Sequence, residues 1–371
     1  SIAYTYILYI YFINIIDTYK IYIYNILIKR NKYKQKGVKN MTNVITEMQD
    51  LTQNLKGEVL KVNADLGNTN YKLVIGNRRV IDSSNVEEVA QGVFGAYEVN
   101  EKYYLFGQGA NVKYNTNKIC LEKRALLGKA LFNIVEDGQN VEVTTLLPLS
   151  QYIENANKDK FRELLMGDYK VTNSDGFTKQ FKVVKVNVNC EGFSGLVTKP
   201  QLLKEPLYLV DIGGVDIAGC YVNRTPVVKK SFTLEGGMNK FFKDLATTLT
   251  SKTSVSYTNE NAQTLFEKEK KPLKLQEIID VFAVDYLKKN VFEKLDNIEF
   301  RWYLHKIAFV GGGAVALEKY LMLALESYVK EHTNEFEDEF NEEEADIELL
   351  EDAIWASILG AKTMEERRAN S

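Results

Sequence analysis

Two short segments, 146 residues apart, share one pattern: Asp65-Leu66-Gly67-Asn68-Thr69-Asn70-Tyr71-Lys72 and Asp211-Ile212-Gly213-Gly214-Val215-Asp216-Ile217-Ala218. Each sets an aspartate at the end of an apolar run, follows it with a glycine turn, and resumes a strand-forming run. One such hairpin carries little information, because Asp and Gly are ordinary turn residues. A repeat at domain scale means two related halves. Two hairpins facing each other across a cleft aim successive backbone N–H groups at phosphate oxygens from both sides. Their aspartates are then placed to hold water on a divalent cation carried by those phosphates. Thr69 adds a hydroxyl and Lys72 a cation for the same phosphates.

The rest of the chain organises around these hairpins. Strands are expected at 59–65, 71–75 and 79–82, a β-meander, with further strands near 103–106, 139–145 and 181–189 and a helix over 153–166. Residues 199–206 carry two of only five prolines and read as a crossing between domains. The second half repeats the theme with strands at 207–211, 217–223 and 227–234, then helical periodicity to 249 and over 275–295. A buried run at 307–310 leads into Gly311-Gly312-Gly313-Ala314 and a helix to 328, and a closing helix is expected over 347–364. The glycine run loosely fits a dinucleotide fingerprint, but it lies far from the start of the chain. That place favours a role beneath a nucleoside and its α-phosphate over NAD binding.

Composition removes several classes of function. Two histidines (His305, His332) and three cysteines (Cys120, Cys190, Cys220), with no Cys-x-x-Cys pair, argue against zinc centres, disulfide frameworks and serine or cysteine triads. With 47 Lys or Arg against 50 Asp or Glu, the net charge of −3 leaves no broad electrostatic footprint for DNA or RNA. Residues 1–40 stand apart: Ile, Tyr, Lys and Asn, whose codons are rich in A and T, make up 28 of the 40. This stretch reads as translated non-coding DNA ahead of Met41, and residues 1–50 are expected to be disordered or absent from the native product. Without residues 1–40 the chain carries 40 positive and 49 negative charges and is clearly acidic. Residues 331–352 hold twelve acids and no Lys or Arg, the composition of a solvated surface.

In order, residues 65–72, 147–152, 207–218, 307–316 and 347–364 resemble the first phosphate motif, first connecting segment, second phosphate motif, adenosine motif and second connecting helix of one superfamily. It is the superfamily of nucleotide-binding folds shared by actin, sugar kinases and DnaK-type chaperones. Within it, residues 58–364 most resemble the ParM-like bacterial actin homologues of plasmid segregation, through Asp-x-Gly-x-Thr-Asn-x-Lys at 65–72 and Leu-Pro-Leu-Ser-Gln-Tyr at 147–152. The resemblance implies an α/β, actin-like (ribonuclease H-like) two-domain fold with the nucleotide in the interdomain cleft. Domain I would comprise 58–204 plus 345–371, and domain II 205–344. It also implies a slow, magnesium-dependent cytoplasmic ATPase or GTPase that self-associates into filaments. A centromere-binding, ParR-like adaptor would link the filament to plasmid DNA, with no membrane involved.

Carried over residue by residue, the resemblance gives Gly67, Asn68, Thr69, Asn70 and Lys72 to the β- and γ-phosphates, with Gly213 and Gly214 closing from the other side. Asp65 and Asp211 would hold the magnesium through water. Gln151 would orient the attacking water with Asp211, and an amide in that place is a poor base, hence slow hydrolysis. Gly236, Gly237, Gly311, Gly312 and Gly313 would line the nucleoside. Val215 departs from the pattern where many relatives have Thr, and residues 274–277 do not match a base-recognition motif, so ATP against GTP stays open. The alternatives on this fold are a small-molecule kinase, which needs an added catalytic Asp, and a DnaK-like chaperone ATPase, which needs a linker and a peptide-binding domain. Nothing in the sequence singles out either.

Overall fold

The computed structural model describes residues 59–110, 117–332 and 345–370. The expected N-terminal extension, residues 1–50, and the centre of the acidic run, 333–344, lie outside the described residues. The first sheet is built from β1 (Leu60–Leu66), β2 (Asn70–Ile75), β3 (Arg78–Ser83), β4 (Val86–Val89), β5 (Tyr97–Val99), β6 (Lys102–Phe106), β7 (Gln139–Leu147), β8 (Gly167–Thr172) and β9 (Thr178–Cys190). Its order is β3-β2-β1-β7-β9-β8-β5-β6-β4. The second sheet is built from β10 (Leu207–Ile212), β11 (Asp216–Asn223), β12 (Thr225–Glu235), β13 (Lys306–Val310) and β14 (Ile347–Leu349), in the order β12-β11-β10-β13-β14.

The two orders contain the same unit. In each sheet a three-stranded antiparallel meander offers its first strand to two parallel strands: β1 to β7 and β9, β10 to β13 and β14. The repeat seen in the two Asp-x-Gly turns is therefore a repeat of topology. Parallel strands need cover on both faces, so they read as continuous apolar runs. β13 is such a run, with Ile307, Ala308, Phe309 and Val310 all buried.

Helices supply the cover. In chain order they are α1 (Leu121–Phe132), α2 (Leu149–Tyr152), α3 (Asn155–Leu165), α4 (Phe193–Leu196), α5 (Met238–Thr253), α6 (Asn259–Glu267), α7 (Leu273–Leu287), α8 (Glu293–Asp296), α9 (Gly312–His332) and α10 (Ala356–Asn370). On the first sheet, Leu126 and Leu131 of α1 and Phe161 of α3 join Val143 and Val183 in one core. On the second, Phe241 of α5, Ile279 of α7 and Leu317 of α9 close over Val210 and Phe309. Each fully buried side chain of this size stabilises the fold by about 1.5–3 kcal/mol relative to exposure.

Several elements differ from the sequence reading. The expected helix over 347–364 splits: residues 347–349 pair with β13 as the edge strand β14, Asp352 takes a positive φ of 54°, and the helix starts at Ala356. Helix α1 lacks a readable polar face, because eight of its twelve residues are buried, Lys123 and Gly128 among them. Helix α6, which the sequence reading did not expect, is started by a capping box in which Thr258 and Asn261 serve each other's backbone N–H.

Strands β9 and β14 hold the same rank in the two sheets, and both run out into helices that meet. Gly360 of α10 lies so near α4 that a Cβ there would stand 1.7 Å from the Ser194 carbonyl oxygen. Among the described residues, no helix is long and apolar enough to cross a membrane.

Candidate active site

Ligands of parallel sheets gather at the carboxyl ends of the strands, and here β1 and β10 end at one shared cavity of about 360 Å³. From the first sheet it is lined by Asp65, Gly67, Asn68, Thr69, Asn70 and Lys72. From the second come Asp211, Gly213, Gly214, Val215 and Asp216, and beside them Gly311, Gly312 and Gly313. The two turns nearly touch. A Cβ on Gly214 would stand 2.0 Å from Thr69 Oγ1, and one on Gly311, at φ 94°, would stand 2.5 Å from Asp211 Oδ1. Only glycine allows these approaches.

The second turn is fastened to the start of α5: the N–H groups of Met238 and Asn239 donate to the Gly213 and Gly214 carbonyls at 3.0 and 2.8 Å. Gly236 and Gly237, expected at the nucleoside, do not line this cavity. They underlie the second turn instead, since a Cβ on Gly237 would lie 2.6 Å from the Gly214 and Val215 backbone and the Tyr286 hydroxyl donates to the Gly236 carbonyl at 2.8 Å. The wall beyond the glycine run comes from Phe242, Gln263, Glu267 and Ala316, so α6, and not residues 274–277, reaches this end of the cavity.

Gln151 does not line the cavity either. Pro148 ends β7 and starts α2, whose turn carries Gln151 to an adjoining cavity of about 240 Å³ that shares Pro148 and Asp216 with the first. There its Oε1 accepts from the Lys118 backbone N–H at 3.2 Å. The carboxylate that does face the cavity is Glu191, the residue after β9. Its signal was positional: β1, β7 and β9 run parallel, so an acid directly after β9 arrives on the side where Asp65 ends β1. Lys118 also lines the cavity, from a stretch without periodicity, and no sequence pattern marked it.

The charges form one chain. Lys72 Nζ donates to Asp65 Oδ2 at 2.9 Å, and the buried Lys118 Nζ donates to Asp65 Oδ1 at 3.3 Å and Glu191 Oε2 at 2.8 Å. Burial alone would push the Asp65 carboxyl up, but the Lys72 and Lys118 cations hold it well below the usual carboxylate range. Burial also works against the Lys118 ammonium, and Glu191 and Asp65 more than restore it. Asp211 is different. Enclosure and the nearby Glu191 push it up to about 7, against the partial relief of Lys72. Burial raises Glu191 as well, with Lys118 opposing. Lys123, which donates to the Gly67 carbonyl at 2.7 Å, is pushed down to about 8 by burial and by Lys118.

This arrangement suits a polyphosphate. It offers backbone turns from two sides, two lysines, and carboxylates that lack a full set of cations. Among the described residues no three metal-binding side chains converge. The oxygen donors Asp65 and Asp211 would suit magnesium, which keeps several waters and is held by one or two carboxylates plus substrate phosphates.

Residues 64–193 match the family model described as actin like proteins N terminal domain. A search of the curated proteins finds no match. Among solved structures the chain is similar to the actin-like protein Alp7A (13% identity, TM-score 0.67, 84% of this chain and 98% of that one). It is also similar to the archaeal actin homologue Ta0583 (16%, TM-score 0.65, 83% and 100%) and to the psk41 ParM protein (16%, TM-score 0.59, 84% and 98%). At these identities the likeness carries the fold, and that fold is actin-like.

Proposed function

We propose that this actin-like protein, a ParM-like homologue, is a nucleotide-driven filament protein that hydrolyses ATP or GTP and moves plasmid DNA through a DNA-bound adaptor. One observation carries the reading: two hairpins of one topological repeat close on a single cavity, each bringing an aspartate, with Glu191 beside the second. Ta0583 has been solved with ADP, AlfA as a filament bound to AMPPNP, and Alp12 and AlfA from the B. subtilis plasmid pLS32 as filaments. These structures support nucleotide binding and self-association here.

In this reading the N–H groups of 67–70 and 213–214 hold the β- and γ-phosphates, with Lys72 and Lys118 opposing their charge. Asp65 and Asp211 would hold magnesium through water, and the ion would supply charge neutralisation at the phosphate oxygens. Glu191, in the role first given to Gln151, accepts a hydrogen bond from the attacking water, and Asp211 takes its proton. Hydrolysis stays slow while Lys118 holds Glu191. The sheet-bearing halves act as two domains that close on the nucleotide: 58–204 with the closing helix from Ala356 form one, and 205–344, to which the edge strand 347–349 adds against the expected boundary at 345, form the other.

The test is light scattering and pelleting of the full chain with magnesium and ATP, GTP, ADP or no nucleotide, beside phosphate release. Triphosphate-dependent pelleting with slow phosphate release is expected. Hydrolysis without polymer at every salt and protein concentration would move the function to a kinase or a chaperone ATPase.

A further inference from the structure

The two glycine turns are held from outside the cavity by matching pieces of the fold. Behind the second turn, the first residues of α5, Met238 and Asn239, donate their backbone N–H groups to the Gly213 and Gly214 carbonyls. Behind the first stands Lys123, in the opening turn of α1, whose Nζ donates to the Gly67 carbonyl at 2.7 Å. Among the described residues each is the first α-helix after its meander, so the repeat of topology extends to what backs each turn.

Lys123 is a costly prop. It is 6% exposed and makes no ion pair among the described residues, and a second cation, Lys118, joins burial in working against its charge. A buried ammonium without an acid is unfavourable, and an apolar side chain of similar length would fill the place without that penalty. What the charge does is fix one peptide plane. The Gly67–Asn68 bond is trans, so its N–H points away from the side on which its C=O meets Lys123. Gly67 and Asn68 line the cavity and Lys123 does not. The cation therefore sits behind that peptide and turns the Asn68 N–H toward the cavity. Among the described residues this N–H has no hydrogen-bond acceptor.

We propose that Lys123 is a positioning residue for phosphate binding: from outside the cavity it holds the Gly67 carbonyl so that the Asn68 N–H is aimed at the β-phosphate. This rests on the nucleotide reading above and adds to that site a residue that touches no ligand. By the same peptide planarity, α5 aims the N–H groups of Gly214 and Val215 with backbone donors. Both turns then present donors oriented before the ligand arrives, so little binding free energy is lost to turning them.

The full chain with magnesium is titrated with a fluorescent ADP analogue, and ADP and AMP are compared by competition. Lys123→Met should lose about tenfold in ADP affinity, the worth of a hydrogen bond to a charged group, and hold AMP as the wild type does. Its urea midpoint without nucleotide should stand no lower than the wild type's, because a buried charge is gone. A lysine that only braced the fold would lower that midpoint and weaken both nucleotides together.

The peptide plane itself is read by isotope labelling of glycine carbonyls and asparagine amides together. The chain has two Gly–Asn bonds, 67–68 and 76–77, and the second lies in the β2–β3 turn outside the cavity. On adding ADP and magnesium, the wild-type Asn68 amide signal should move and the Asn77 signal stay; in Lys123→Met the Asn68 signal should start displaced and no longer answer to ADP. Equal losses for AMP and ADP, an unchanged ADP affinity, or a wild-type Asn68 signal that ignores bound ADP overturns the positioning role and leaves the nucleotide reading standing. The last of these outcomes needs no variant to fold. A wild type that binds neither ADP nor a triphosphate overturns both.

Discussion

In the first hairpin β1 sets Asp65 opposite Lys72; in the second β10 sets Asp211 opposite Ala218. Residues directly opposite in an antiparallel pair share a face and touch, so one register yields two electrostatic outcomes. Asp65 has an ion pair with Lys72 at 2.9 Å and another with Lys118. Asp211 has no ion pair among the described residues and lies near Glu191 and Asp216, and its carboxyl rises to about 7. The first half neutralises its own acid and the second does not. An uncompensated buried carboxylate is costly unless something arrives to pair with it. The second half therefore depends on its ligand, while the first is a finished structural unit.

Four substitutions test that contrast. Lys118→Met removes the cation shared by Asp65 and Glu191, and breaking a buried pair costs about 3–5 kcal/mol; a urea midpoint unchanged from the wild type would mean the first half is not held by its charges. Asp211→Asn should lower phosphate release about a hundredfold or more without lowering the melting temperature of the nucleotide-free protein. A loss of stability equal to that of Lys118→Met would erase the difference between the halves.

Gly214→Ala drives a methyl into Thr69, an overpacking that costs about 1–3 kcal/mol, read as weaker triphosphate binding in a fluorescence titration. Ala218→Lys copies the first register into the second. In the wild type, folded Asp211 keeps its proton up to about pH 7 while the unfolded chain loses it near 4. The folded state thus binds more protons in that window, and the nucleotide-free protein loses stability as pH rises through it. Ala218→Lys should flatten that loss, a change of a few degrees in Tm across the window. A steeper loss would show that position 218 does not reach Asp211.

Much of the site was legible because its parts are local. An Asp at a strand end and a glycine turn after it need only neighbouring residues to specify them, and Asp65, Gly67 to Asn70, Lys72, Asp211, Gly213, Gly214 and Gly311 to Gly313 all line one cavity. Gln151 was misplaced because its motif, Leu-Pro-Leu-Ser-Gln-Tyr, says that a strand ends and a helix starts but not which way that helix turns. The same limit applies to Gly236 and Gly237, whose place under the second turn depends on where α5 begins. Glu191 and Lys118 went unseen because their meaning lies in each other: they are 73 residues apart in sequence and 2.8 Å apart in space.

The sequence by itself determined the strands of the two meanders, the two hairpins and the repeat, since alternation, turn chemistry and spacing act over a few bonds. Only the tertiary structure decided which acids share the cavity, which helix closes its far end, and that Asp211 has no ion pair among the described residues. Those outcomes follow from parallel pairing across long crossovers, where desolvation and Coulomb energies depend on distances that no local run of residues can set.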